Sequence, residues 1–168
     1  MKNGLIGRMK DILAGLSKKN GIDELDFVVL KTTLMLAAVD GEIAEEEIER
    51  FKELAAKCRG YSDESFKALW DAAVRSAGYL LLQSRFLERE ELVATFVKEA
   101  EKGFVGEVAL ETSAERIRAF ECLDRMAMAD GERSSIEHEC IEALVRKVEE
   151  VRESEIAARY PLAAKFGK

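Results

Sequence analysis

Apolar residues fall three and four positions apart along most of this chain, which is the period of a helix with one face turned inward. The first such stripe is Leu5, Ile6, Met9, Ile12, Leu13 and Leu16, with Arg8 and Lys10 lying off it, and Asn20-Gly21 ends it. Asp23 is placed to cap a second helix running to about Val39, whose last turns from Leu34 onward are apolar all round and belong at the centre of a core. A third helix spans about Ala44 to Cys58, with Ile48, Phe51, Leu54 and Ala55 facing in. Ser62 opens a fourth, with Phe66, Leu69, Trp70, Ala73 and Val74 on its inner face. Gly78 weakens its middle, and the apolar run from Tyr79 reaches Phe86.

The pattern continues with a helix from about Glu88 to Lys102 that presents Leu92, Val93, Phe96 and Val97. Gly103 and Gly106 predict an irregular stretch after it. Thr112-Ser113-Ala114-Glu115 reads as a capping box opening a helix to Ala129, and a last helix runs from Ser134 to about Ser154. Tyr160, Leu162 and Phe166 predict a tail that docks on the body. No segment combines strict alternation with β-branched enrichment. The expected fold is therefore all-α, a single-domain bundle of about seven helices.

One feature is not explained by helix periodicity. Asp40-Gly41-Glu42-Ile43 closes one helix and opens the next, and it recurs as Asp130-Gly131-Glu132-Arg133. Shifting the chain by 90 residues lays Leu30–Lys57 over Phe120–Lys147 with eight of 28 pairs identical, Glu47/Glu137 and Glu49/Glu139 among them. Two copies of one helix–turn–helix unit follow, each with a carboxylate seven residues beyond its Asp. Packing such units about a pseudo-twofold axis gathers Asp40 and Glu47 near Asp130 and Glu137. Carboxylates so gathered repel one another unless a cation or protons neutralise them.

Oxygen-only donors favour Ca²⁺, Mg²⁺ or Mn²⁺ over soft metals, with Asp40, Glu42 (through its carbonyl), Glu47 and their counterparts Asp130, Glu132 and Glu137 as the candidate ligands. The spacing is half of an EF-hand loop. The other half is missing, because the two earlier ligand positions hold Leu36 and Ala38 in one copy and Met126 and Met128 in the other. A structural reading stands beside the cation reading. Asp-Gly is a common helix stop, and Ser134-Ser135-Ile136-Glu137 is itself a capping box, although Ala44 cannot play the serine's part in the first copy.

The two turns resemble those of the tellurite-resistance TerB-like family, marked by paired helix-turn-helix units with an Asp-Gly-x-aliphatic turn and a Glu seven residues after the Asp. Asp40, Gly41, Ile43 and Glu47 match every position; Asp130, Gly131 and Glu137 match, with Arg133 where an aliphatic residue is usual. The resemblance covers about residues 22–150, between a basic amphipathic helix over 1–20 and a tail over 151–168. It implies a non-enzymatic bacterial stress-response domain that binds a divalent cation through these acidic residues. It also implies membrane-embedded and cytosolic protein partners at the inner face of the cell membrane.

Charge and composition narrow the alternatives. The chain of 168 residues carries a net charge of −7, with +4 in residues 1–20 and −11 in the remainder. An acidic body disfavours nucleic acid. The basic stripe over residues 1–19 suits either packing on the bundle or peripheral contact with an anionic membrane surface. Cys58, Cys122 and Cys140 are odd in number and form no C-x-x-C pair, which fits buried thiols in a reducing cytoplasm and no zinc knuckle. No apolar run approaches membrane-spanning length, and no signal-peptide core stands at the N-terminus. The sole histidine, His138, lacks a Glu-x-x-His pattern or a triad partner in sequence, so no enzyme and no organic cofactor are expected. Oligomeric state is left open. The alternative to cation binding is a helical adaptor or membrane-surface domain whose acidic turns are purely structural.

Overall fold

A computed structural model describes residues 22–107, 113–129 and 134–159. Among these residues the fold is all-helical, with helices α1 (Glu24–Ala38), α2 (Glu45–Ala56), α3 (Asp63–Gln83), α4 (Arg89–Glu101), α5 (Ser113–Ala127) and α6 (Ser135–Arg159). The basic segment 1–20, the capping Thr112, the second turn at 130–133 and the tail from residue 160 lie outside the described residues.

The organising element is α1. Its cap is the one read from sequence, the Leu25 amide donating to Asp23 Oδ1 at 2.9 Å. Residues 34–39 are all buried, so this helix end has no wet face. It touches every other described element. A helix so apolar is stable only when neighbours cover it on all sides, which is why the bundle is arranged around it. Thr32 and Thr33, also buried, donate their hydroxyls to the carbonyls of Val28 (2.9 Å) and Leu30 (2.6 Å), so neither leaves an unmet donor in the core. Asp26, buried near the helix start, pairs with Arg118 of α5.

Helix α3 lies along α1 in the same direction. The Asp23 end of α1 shares a cleft with Lys57, Cys58 and Arg59, just before α3 begins, and the far end of α1 leads to Gly41, beside Ser84 at the end of α3. Ser62 and Ser65 cap α3 reciprocally, with N···O distances of 3.1 and 2.7 Å. Phe51 of α2 is buried against Trp70 of α3, edge on, with ring centroids 5.7 Å apart, and Phe66 stacks on Trp70 at 6.2 Å.

Three local expectations change, at Val74, after α4 and at the end of the last helix. Val74 is 42% exposed and is not part of the inner face of α3; Ala77 and Leu80 continue the buried stripe instead. The helix passes through Gly78 without a break. After α4 the chain is not irregular but continues as a π-helical turn, Lys102–Glu107. The reason lies at Gly103, where a Cβ would sit 2.7 Å from Val28 Cγ1: the glycine lets this turn press directly on α1 and seat Phe104 in the core. The last helix also runs farther than its apolar pattern indicates, to Arg159.

These contacts predict opposite signs for one substitution at two positions. Gly78→Ala meets no neighbour and removes a helix-interior glycine, so it stabilises by up to about 1 kcal/mol. Gly103→Ala overpacks against Val28 and costs about 1–3 kcal/mol, a cost partly relieved in the Val28→Ala background. Urea unfolding midpoints of wild type, Gly78→Ala, Gly103→Ala, Val28→Ala and the Val28→Ala/Gly103→Ala double variant give the comparison. A stable Gly103→Ala variant would contradict the close approach.

Candidate metal centre

The acidic site is built where α1 ends. Gly41 takes φ +91°, a conformation L side chains rarely adopt, and this reverses the chain directly after Asp40. Asp40 Oδ1 accepts from the Glu42 amide at 3.1 Å, so the carboxylate folds over its own turn. Four residues on, α2 starts, and Glu47 in its first turn is only 2% exposed. Glu47 Oε2 accepts from the Ala44 amide at 2.8 Å, half of a capping box, since Ala44 has no side-chain oxygen to return the bond.

The second unit makes the full box. The Glu137 amide donates to Ser134 Oγ at 3.3 Å, and Glu137 Oε1 accepts from the Ser134 hydroxyl at 2.6 Å and its amide at 3.3 Å. Glu137 is 1% exposed.

The two buried glutamates and Asp40 meet. One carboxylate oxygen from each of Asp40, Glu47 and Glu137 lies within 4.8 Å of the other two, although Glu137 comes from a different helix pair 90 residues along the chain. The geometry can be tested against an ion. Three oxygens spread evenly around a Ca²⁺ at about 2.3–2.6 Å stand about 4.0–4.5 Å apart, so a trio within 4.8 Å closes on one coordination sphere with at most a small contraction. Mg²⁺, at about 2.0–2.1 Å, needs a tighter set. A carboxylate has about four lone-pair sites, so a capping bond to one oxygen does not by itself preclude an ion on the same group.

Of the residues expected from sequence, the structure thus assembles Asp40, Glu47 and Glu137. Glu42 is exposed, as Asp40 is, but its side chain stands outside the trio. Asp130 and Glu132 lie outside the described residues.

Periodicity gave no sign of Arg89. At the start of α4 it donates from Nε to Glu139 Oε2 (2.9 Å) and from Nη2 to Ser135 Oγ (2.7 Å), both on the first turns of α6. That bond holds the Glu139 carboxyl below the usual carboxylate range and pushes the Arg89 guanidinium up. A sequence signal did exist, since Glu139 belongs to an identical pair of the repeat.

Cys58 and Cys122 line a cleft of about 570 Å³ between the start of α1, the end of α2 and α5. Burial pushes the Cys58 thiol up to about 11 and that of buried Cys140 up to about 12, and it raises Cys122 as well. Thiols so shifted stay protonated and make poor nucleophiles. His138 is exposed and sits 2.9 Å from Glu142 of its own helix, away from buried Cys140. No helix among the described residues is long and apolar enough to cross a membrane. Comparison with protein-family models, curated proteins and solved structures finds no match for this chain.

Two outcomes follow. Ser134→Ala removes the cap of α6 and costs about 1 kcal/mol in urea unfolding, while Ala44→Ser, which completes the box of α2, adds stability of similar size. A raised thiol pKa contributes stability that is present below the unfolded value and lost as pH climbs through the folded one. Cys58 therefore weakens the fold between about pH 9 and pH 11, and Cys58→Ala flattens the fall in unfolding midpoint over that window. An identical decline in both proteins would contradict this.

Proposed function

We propose that this chain is a non-catalytic, internally duplicated helical domain that binds a divalent cation between its two acidic turns. The reading rests on one observation, the approach of Asp40, Glu47 and Glu137 within 4.8 Å across two helix pairs. Capping explains why each glutamate faces its own helix start. Capping within each helix does not by itself bring carboxylates of two helix pairs together with Asp40. A cation is attracted to carboxylates so gathered, and water with backbone carbonyls would complete the 6–8 oxygens that Ca²⁺ takes. Ca²⁺, with the longest bonds of the three candidates, needs the least contraction of the trio, and Mn²⁺ and Mg²⁺ need more.

Ion binding at the meeting point of two units would order both turns together, which is the physical basis of a sensor. The resemblance of the two turns to those of TerB-like domains supports a role in bacterial stress response, with protein partners at the inner membrane face rather than a substrate. Whether tellurite is involved is a separate question from whether a cation binds.

A helical adaptor with purely structural turns is favoured by a different observation. Tyr79, Leu82 and Phe86 are exposed at the end of α3, an apolar patch that invites a partner with or without a cation.

Calorimetric titration with Ca²⁺, Mn²⁺ and Mg²⁺ distinguishes the two. The cation reading expects one site per chain in the wild type and at least tenfold weaker binding in Asp40→Asn and Glu137→Gln, with helix content unchanged. Wild type and both variants giving the same isotherms would support the adaptor.

A further inference from the structure

We propose that Arg89, which belongs to neither helix–turn–helix unit, is a positioning residue that sets the distance between the two halves of the cation site; this rests on the cation reading above. Ser135 and Glu139 stand four residues apart and so share one face of α6, while Glu137, two residues from each, projects from the opposite side. The Arg89 fork closes on both members of that outer face, at 2.7 and 2.9 Å. It therefore grips the first turns of α6 from behind while Glu137 meets Asp40 and Glu47 in front.

The other end of the same connection rests on the first unit. Ser84 Oγ lies 3.5 Å from the Cβ position of Gly41, the residue after Asp40. The short link from Ser84 to Arg89 thus touches one acidic turn and is latched to the helix carrying the opposing carboxylate. Only a bidentate, planar side chain can hold two acceptors in one orientation; a lysine supplies the charge without the fork.

The sign of the effect separates positioning from charge. A nearby guanidinium repels a cation, so its removal would tighten binding if electrostatics alone mattered. Positioning predicts the reverse. Because Arg89 and Glu139 are about half exposed, losing the pair leaves global stability nearly unchanged.

The test titrates Ca²⁺ into wild type, Arg89→Met and Arg89→Lys, and follows amide hydrogen exchange across Ser135–Ile141 in cation-free protein. Expected are at least fivefold weaker Ca²⁺ binding in Arg89→Met, an intermediate loss in Arg89→Lys, and at least fivefold faster exchange in both, with unfolding midpoints close to wild type. Equal or tighter binding in Arg89→Met overturns the proposal even if exchange quickens. Unchanged exchange in cation-free Arg89→Met overturns it as well. If the wild type takes no Ca²⁺, the cation reading fails by itself, and the exchange arm still decides whether Arg89 holds α6 in place.

Discussion

Complete burial of the far end of α1 is the constraint from which the rest of the structure follows. Residues 34–39 have no solvent-facing side, so helices must close around them. The chain leaves this core at Asp40, and Gly41 is the one residue there that can turn it at once. The acidic turn is therefore anchored at the end of the most deeply buried helix. Its carboxylate stays close to the core instead of on a free loop, and α2 and α6 then bring Glu47 and Glu137 to it.

A single residue type serves two tasks in this arrangement. A glutamate at the third position of a helix is the ordinary partner of a capping serine, and Glu137 makes that bond in full. Glu47 makes only the half that Ala44 permits. The cap fixes one oxygen of each glutamate and so orients the carboxyl group, which leaves its angular position defined before any ion arrives. Preorganisation of this kind lowers the ordering cost of binding. It also accounts for Glu at a position where the first unit lacks a capping side chain.

Most of the architecture was legible in the sequence, because helix period, capping residues and the all-apolar run of α1 are local signals. The caps at Asp23, Ser62 and Ser134 fall where expected. The 90-residue repeat predicts Asp40 and Glu47 near Asp130 and Glu137; the structure brings Glu137 to Asp40 and Glu47, and Asp130 lies outside the described residues. Val74 misled because an apolar residue at helical spacing does not record which edge of a stripe is covered, and the stripe of α3 turns toward Ala77 instead. Gly103 misled for a physical reason of another kind. Glycine signals a break when it supplies conformational freedom and continuity when it supplies room, and only the position of Val28 decides between them. Arg89 carries no periodic signature at all, since its partners lie 46 and 50 residues away.

The central claim is that three carboxylates from two helix pairs act as one receptor for a positive ion. Carbon-13 carboxyl shifts of Asp40, Glu47 and Glu137, followed by NMR during a Ca²⁺ titration at fixed pH, address it most directly. The account predicts that all three signals move together along a single saturating curve, while exposed carboxyls such as Glu53 stay fixed. Signals that do not move, or that drift linearly without saturating, would show that the three groups meet without forming a site.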